Sequence, residues 1–280
     1  MSINNLVVFS DTHFGDQLSL CPPEPIQLDG GGTYTASPIQ RKLWEWWVEM
    51  WEWVENVTHG EPYSVAIAGD TMDGRHHGTT NQITQNLADQ KKIALSVLSD
   101  VKGKLFGGGK LYMIRGTEAH VGPSGENEEM LAMELGAEPD EHGNYARNEL
   151  WIRIGGENGA LAHILHHIAP SSSNAYETTA LMREYAESCA EAGRWHLQTP
   201  DFCVRGHRHR YAEIRVPTDR GYGYALSLPG WQLKGPLVWR IAGGRNSLPQ
   251  CGGVLLRQGD EDAYTRVFCR NVTRSSEVVI

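Results

Sequence analysis

Aspartate and histidine residues recur in this sequence directly after short apolar runs. Asp11 and His13 lie two residues apart, and Asp70 and Asp73 lie three residues apart. Carboxylate and imidazole groups together suit Mn²⁺, Fe, Zn²⁺, Co²⁺ or Ni²⁺ better than Ca²⁺. The chain also has 12 histidines, and histidine is the commonest metal ligand. The pattern therefore predicts a metal site, provided that the fold brings these segments together.

Three later segments carry the same residue types. Gly-Thr-Glu-Ala-His occupies 116–120, the pair His166 and His167 follows a fourth apolar run, and His207 and His209 follow a fifth. In an extended segment, residues i and i+2 point the same way. The spacing thus predicts two forks that each grip a metal, Asp11 with His13 and His207 with His209. Asp70, with two carboxylate oxygens, could bridge two cations.

The elements that must position these residues alternate along the first two thirds of the chain. The five apolar runs predict buried strands at 6–9, 63–68, 110–114, 160–165 and 201–205. Helical spacing predicts helices at 38–57, 81–101, 127–135 and 176–192. Further strands are predicted at 150–154, 211–216, 222–228, 236–241, 253–257 and 264–269. This order predicts a mixed α/β fold with two sheets inside and helices outside, and a ligand site where the strand ends converge.

The order of the motifs resembles that of the calcineurin-like metallophosphoesterases, over residues 6 to about 210. The family pattern is D-x-H, G-D-x-x-D, G-N-H-[DE], a single His and G-H-x-H. The resemblance implies a four-layer αββα sandwich with two mixed sheets and a metal site at the carboxyl edge of the strands. It also implies two divalent metal ions, with Mn²⁺ as first choice and Fe, Zn, Ni, Co or Mg as alternatives. Such enzymes hydrolyse phosphoesters through hydroxide formed on the metal ions.

The resemblance also implies a role for individual residues. Asp11, His13 and His209 would hold one metal ion, and Asp70 would bridge to the second. His166 and His207 would hold the second ion, with His167 as the alternative to His166.

The third motif departs from the family. The positions of the family's Asn ligand and of its substrate-facing His hold Thr117 and Glu118. Thr117, Glu118 or neither would then complete the ligand set of the second metal ion, with Thr117 as the first choice. His120, two residues further on, would supply the imidazole over the substrate, so that Asp70 and His120 are the expected catalytic residues. The sequence of residues 116–122 is similar to that of phosphoesterases in phage and prophage gene sets.

The expected substrate is a phosphoester. Arg75, His76 and His77 could contact its phosphate as charged donors. A phosphodiesterase or nuclease acting on nucleotides or nucleic acid is favoured. A phosphomonoesterase or protein phosphatase is the first alternative. A catalytically weak metal-binding scaffold or interaction protein is the second.

Composition excludes several other classes. The chain has 280 residues, 40% hydrophobic, and a net charge of −9, which argues against disorder and against non-specific coating of duplex DNA. No apolar run is long enough for a membrane span. Five cysteines without a C-x-x-C pair, and no visible secretory signal, favour the cytoplasm. We expect one domain over 1–270 and a flexible tail at 271–280.

The predicted helix at 38–57 contains five tryptophans. Its apolar residues cover two faces, which is typical of a helix that is buried on two sides or lies at an interface. Packing against a sheet is the first interpretation. Self-association through this helix, giving a homo-oligomer, is the second.

Overall fold

The computed structural model describes residues 2–76, 78–169, 174–240 and 246–278. Its strands, β1 to β13, are Asn5–Phe9, Ile26–Gln27, Thr33–Tyr34, Ser64–Ala68, Leu111–Ile114, Ala146–Arg147, Leu150–Ile154, Ala160–Leu165, Phe202–Arg205, Ala212–Thr218, Gly221–Ser227, Gln250–Gln258 and Ala263–Asn271. Its α-helices, α1 to α5, are Pro38–Thr58, Leu87–Gly103, Glu118–Val121, Glu126–Glu134 and Glu177–Arg194.

Two mixed sheets form the centre of the fold. The first has the strand order β13-β12-β1-β4-β5-β6, in which β1, β4, β5 and β6 run parallel and β12 is antiparallel to β1. The second has the order β10-β11-β9-β8-β7, in which β9 runs parallel to both of its neighbours. The parallel strands in both sheets carry the predicted motifs, so both sheets deliver them at strand ends.

Three apolar clusters separate four layers. Along β1, Val7 and Phe9 belong to the cluster beneath α1, α2 and α4, whereas Leu6 and Val8 belong to the cluster between the two sheets. The alternation follows from the opposite directions of successive strand side chains. A third, smaller cluster joins α5 to the outer face of the second sheet. The predicted α/β fold with four αββα layers is therefore confirmed.

Helix α1 begins where the sequence predicts. Ser37 caps it, with its hydroxyl accepting from the Gln40 backbone N–H while the Gln40 side chain accepts from the Ser37 N–H, and Pro38 occupies the first turn. Trp47 and Trp51 are buried and meet the Phe9 ring edge to face at 5.2 and 6.2 Å. The inner face of this helix therefore packs on the first sheet. Self-association through its outer face stays a prediction.

Two predicted elements differ from the structure. Helix α2 begins at Leu87 rather than at 81, because the Asn86 side chain caps it by accepting from the Ala88 N–H. Residue Gln82 instead turns inward and donates from its amide to the Asp73 carboxylate at 2.8 Å. The strand predicted at 236–241 is wrong over 236–240, which forms consecutive turns, and residue 241 lies outside the described part.

Two general expectations can also be compared with the structure. Within the described residues, no helix is long and apolar enough to cross a bilayer. All five cysteines are free thiols. The division into a domain at 1–270 and a tail at 271–280 stays a prediction.

Candidate metal centre

The proposed ligands lie where strands of both sheets end. Asp11 and His13 follow β1, and Asp70 follows β4 in the same sheet. His166 follows β8, and the 207–209 segment follows β9, both in the second sheet. The centre is therefore assembled at the shared edge of the two sheets, as the convergence of strand ends predicts.

The backbone at this edge is locally strained. Left-handed φ angles between 43° and 72° occur at seven described residues other than glycine, and five of them are proposed ligands: Asp11, His13, Asp70, His207 and His209. Such angles cost free energy and cluster at functional sites. The prediction that the Asp11/His13 and 207/209 segments are extended is therefore wrong. Their side chains are aimed by tight left-handed turns instead of by strand alternation.

Asp11, His13 and His209 form one group of donors, called here the first half-site. Asp11 Oδ1 lies 3.1 Å from His209 Nε2 and 3.9 Å from His13 Nε2. The other carboxylate oxygen, Oδ2, accepts hydrogen bonds from the Ser10 hydroxyl and from the His207 N–H. Oδ1 is buried and has no hydrogen-bond partner in the described structure. A buried carboxylate oxygen facing two imidazole nitrogens fits a divalent cation.

Asp70, Thr117, His166 and His207 form the second half-site. Asp70 Oδ2 lies 3.0 Å from His166 Nε2. The His166 ring is oriented by its Nδ1, which donates to the Ala68 carbonyl at 2.7 Å. This bond leaves Nε2 as the nitrogen available to a metal, the arrangement typical of metal-binding histidines.

The Thr117 hydroxyl lies among the other donors of the second half-site. Its Oγ1 is 3.1 Å from Asp70 Oδ2, 3.3 Å from His166 Nε2 and 3.3 Å from His207 Nδ1. Donors about 2.1 Å from a common ion lie about 3.0 to 3.4 Å from one another at right or tetrahedral angles. The three distances from the Thr117 hydroxyl and the Asp70–His166 distance therefore match one coordination shell.

The alternatives raised by the sequence are placed differently. Glu118 is exposed at the start of α3 and belongs to none of the donor groups found among the described residues. His167 is also exposed, whereas His166 is 1% exposed against Asp70. The 207/209 fork is split, because His209 joins the first half-site and His207 the second. The structure thus groups the residues as the resemblance implies and not as a two-residue fork.

His120 lies between the two half-sites. It shares a donor group with Asp70 and His13, and its ring meets His13 edge to face at 4.5 Å. Its Nδ1 lies 2.6 Å from the Asp73 carbonyl oxygen, to which it donates. The other ring nitrogen, Nε2, is therefore left for a ligand in the cleft.

Asp73 contacts the candidate centre but is absent from the predicted site residues, although it belongs to the G-D-x-x-D motif. Its buried carboxylate lies 3.4 Å from His13 Nδ1 and 3.2 Å from His76 Nε2, and it accepts from the amides of Gln82 and Gln232. A carboxylate behind a metal-binding histidine fixes its ring orientation. The G-D-x-x-D motif indicates Asp73 from the sequence, whereas no sequence motif contains Gln82 or Gln232.

The predicted phosphate contacts are only partly assembled. His76 packs beside His120, with ring centroids 4.2 Å apart, and faces Asp73. Arg75 is exposed and donates to the Gln85 carbonyl. His77 lies outside the described residues. Trp231, near the same edge, is fully buried against Trp47.

Electrostatics at this edge reflect many buried ionisable groups. Burial opposes charge on His13, but Asp11 and Asp73 outweigh it and raise its pKa to about 10. In the same way burial is outweighed by Asp70 at His166, whose pKa rises to about 9. Burial disfavours charge on Asp70 too, yet His166 holds its pKa well below the usual range. In the absence of metal, the carboxylates are therefore ionised and favour the protonated, positively charged form of His13 and His166.

His120 behaves in the opposite way. Burial, followed by repulsion from His13, lowers its pKa to about 4. Burial and repulsion from His166 also lower the pKa of His207. The neutral form of both imidazoles is therefore favoured, and only that form carries a lone pair for a metal.

The comparisons with known proteins add little to this geometry. No family model matches the sequence, and no curated protein sequence matches it. The structure is similar to that of Vacuolar Protein Sorting 29 from Cryptosporidium parvum, with a TM-score of 0.33 and 9% identity over 97% of this chain and 100% of that one. A likeness of this degree does not establish a family, so the candidate centre depends on this chain's own residues.

Proposed function

We propose that this protein is a calcineurin-like metallophosphoesterase, a hydrolase of phosphoesters that works with two divalent metal ions. The observation that carries the proposal is the convergence of all five motifs on two adjoining half-sites, with left-handed backbone at five of the ligands. Two bound ions would supply Lewis-acid charge for the phosphate and lower the pKa of a water molecule. Mn²⁺ is the first choice, and the donor set also suits Fe, Zn, Ni, Co or Mg.

The protein residues would divide the remaining work. Asp70 groups with His166 and His207 on one side and with His13 and His120 on the other, so it is the proposed bridge between the half-sites. His120 is the proposed catalytic imidazole beside the phosphate. Its Nδ1 keeps its proton and donates it to the Asp73 carbonyl, so Nε2 is the nitrogen proposed to meet the substrate. Arg75, His76 and His77 remain the proposed phosphate contacts.

The proposed substrate is a phosphodiester in a nucleotide or nucleic acid, handled in the cytoplasm. Two bound divalent cations would offset the charges of Asp11 and Asp70, and the cleft would then attract phosphate despite the net charge of −9. The similarity of the third motif to phage and prophage phosphoesterases supports a diester rather than a monoester.

Hydrolysis of bis-p-nitrophenyl phosphate and of p-nitrophenyl phosphate with added Mn²⁺ tests the proposal. We expect activity on both, higher on the diester, and loss of about 100-fold or more in Asp70→Asn, since even indirect supports of metal sites cost 10- to 100-fold. Higher activity on the monoester would reverse the substrate order. Tight metal binding without hydrolysis of either would favour the scaffold, and an active Asp70→Asn variant would rule out the metal mechanism.

A further inference from the structure

Glu128 is a buried carboxylate that stands behind the second half-site. It lies on α4 and is 0% exposed. Its Oε1 accepts a hydrogen bond from the Thr71 N–H at 2.8 Å, and its Oε2 accepts one from the Gly116 N–H at 2.7 Å. A single side chain thus ties together the loops that follow β4 and β5.

Both tied backbone groups adjoin proposed ligands. Thr71 directly follows Asp70, and Gly116 directly precedes Thr117. The two loops also meet directly, because the Thr117 N–H donates to Asp70 Oδ1 at 2.6 Å. Their approach is so close that a Cβ on Gly116 would lie 2.1 Å from Asp70 Oδ1. Small changes in loop separation would therefore change the distance between Asp70 Oδ2 and the Thr117 hydroxyl.

We infer that Glu128 is a positioning residue that sets the separation of Asp70 and Thr117 and thereby holds the second half-site in its metal-binding geometry. The inference rests on the proposed two-metal function. A buried carboxylate is costly unless its oxygens are satisfied, and here each oxygen receives one N–H from a loop that carries a ligand. An apolar side chain would fill the space without holding either loop. Among the described residues, the hydrogen bonds of Glu128 go to these two backbone N–H groups and not to the ligand side chains, so its effect passes through the backbone.

The next residue on α4 provides a matched comparison. Glu129 makes the same kind of two-oxygen contact, accepting from the Tyr145 and Ala146 N–H groups at 2.8 Å each. Those groups belong to the segment that enters β6, away from the half-sites. Glu128→Gln and Glu129→Gln therefore each remove from the same helix a carboxylate that accepts two backbone N–H groups. Only Glu128 accepts from the backbone of loops that carry ligands, whereas the remaining contact of Glu129 is an ion pair with the Arg115 side chain at 3.5 Å.

The experiment measures metal binding directly. Purified full-length wild type, Glu128→Gln and Glu129→Gln are dialysed against graded free Mn²⁺, and bound metal per chain is determined by mass spectrometry. We expect two binding steps in the wild type. In Glu128→Gln the step that belongs to the second half-site, identified as the step that Thr117→Ala also weakens, should shift to about 10- to 100-fold higher Mn²⁺, the range found for residues that support metal ligands, with the other step unchanged. Glu129→Gln should keep both steps, even where its melting temperature falls.

Several outcomes would overturn the inference. The first is that both Mn²⁺-binding steps are unchanged in Glu128→Gln. The second is that both steps weaken equally in that variant. The third is that Glu129→Gln shows the same shift as Glu128→Gln. Glu128→Asp, which keeps the charge but is one methylene shorter, replaces the Gln variant if that one does not fold, and should weaken the same step. Failure of both variants to fold would assign Glu128 to the fold alone. Wild type that binds two ions without hydrolysing any phosphoester contradicts the proposed function and leaves this inference standing; wild type that binds none overturns both.

Discussion

The two half-sites use similar residues but differ in how their donor atoms are occupied. In the first half-site, Asp11 Oδ1 and His13 Nε2 are buried without hydrogen-bond partners in the described structure. In the second, the Thr117 hydroxyl lies within 3.3 Å of Asp70, His166 and His207. The first therefore has donor atoms that only a cation or a proton would satisfy, whereas the second is already linked through a neutral hydroxyl.

The backbone conformations of the two half-sites also differ. All three members of the first half-site have left-handed φ angles, whereas in the second Asp70 and His207 do and Thr117 has a φ of −73°. Strain that is held by the surrounding fold indicates an arrangement kept for function. We therefore expect the first half-site to bind its ion more tightly, and the second to depend on Thr117 and on the support of its loops.

The largest effect is expected from Asp11→Asn. The variant keeps the shape of the side chain but removes the charge that faces His13 and His209. We expect loss of the tighter Mn²⁺ step and a fall in phosphodiesterase activity of about 100-fold or more, by analogy with the smaller losses that follow changes behind a metal site. Dialysis and the p-nitrophenyl assays measure both. Retention of the tighter step would reverse the order of the half-sites.

The next effect is expected at Thr117. Thr117→Ala removes the only hydroxyl in the second half-site, and we expect the weaker Mn²⁺ step to shift by about 10-fold or more, while the tighter step is unchanged. Thr117→Ser keeps the hydroxyl and is the matched control, with binding close to wild type. If Ala and Ser bind alike, the hydroxyl is not a ligand, and the second ion is held by Asp70, His166 and His207 alone.

Removing and restoring the metal should distinguish the two half-sites by their effect on the melting temperature of the protein. A ligand present at about 100 times its Kd raises the free energy of unfolding by about 2.7 kcal/mol. We expect the melting temperature of chelator-treated protein to rise in two stages as Mn²⁺ is added, with the first stage missing in Asp11→Asn. Differential scanning fluorimetry in a Mn²⁺ series measures this. A single stage in the wild type would mean that the two ions bind together.

The sequence predicted the members of both half-sites better than their geometry. Asp11 and His13 were recognised from their types and from the strand before them, which local composition encodes. Their left-handed turns were not, because a spacing of two residues also fits an extended segment. The turn depends on long-range hydrogen bonds, which the Asp11 N–H donates to the Gly69 carbonyl and the His13 N–H donates to the Asp70 carbonyl. The start of α2 was missed for a related reason, since Gln82 has a helical neighbourhood but is drawn to the buried Asp73.

Residues that support the ligands, such as Glu128, could not be predicted from sequence motifs. Glu128 lies 12 residues after Gly116 and 57 residues after Thr71, and its sequence neighbourhood is that of an ordinary acidic helix. Its role follows from two backbone N–H groups that belong to different loops, and contacts of that kind leave no local pattern. Asp73 was closer to detection because a motif contains it, although its contacts with His13 and His76 depend on the fold.

The smallest effect is expected from His167→Ala. The two adjacent histidines offer the same chemistry in the sequence, but His166 is buried beside Asp70 and bonded to the Ala68 carbonyl, whereas His167 is exposed. The His167 ring meets those of His166 and His207 at centroid distances of 5.1 and 5.9 Å and, in the described structure, forms no hydrogen bond to them. Surface substitutions usually change free energies by about 0.5 kcal/mol or less, so activity and both Mn²⁺ steps should stay within about threefold of wild type. His166→Ala, measured in parallel, should abolish the weaker step. If His167→Ala abolished that step instead, the second half-site would have to rearrange on binding its ion, and the second half-site would then be the flexible one of the two.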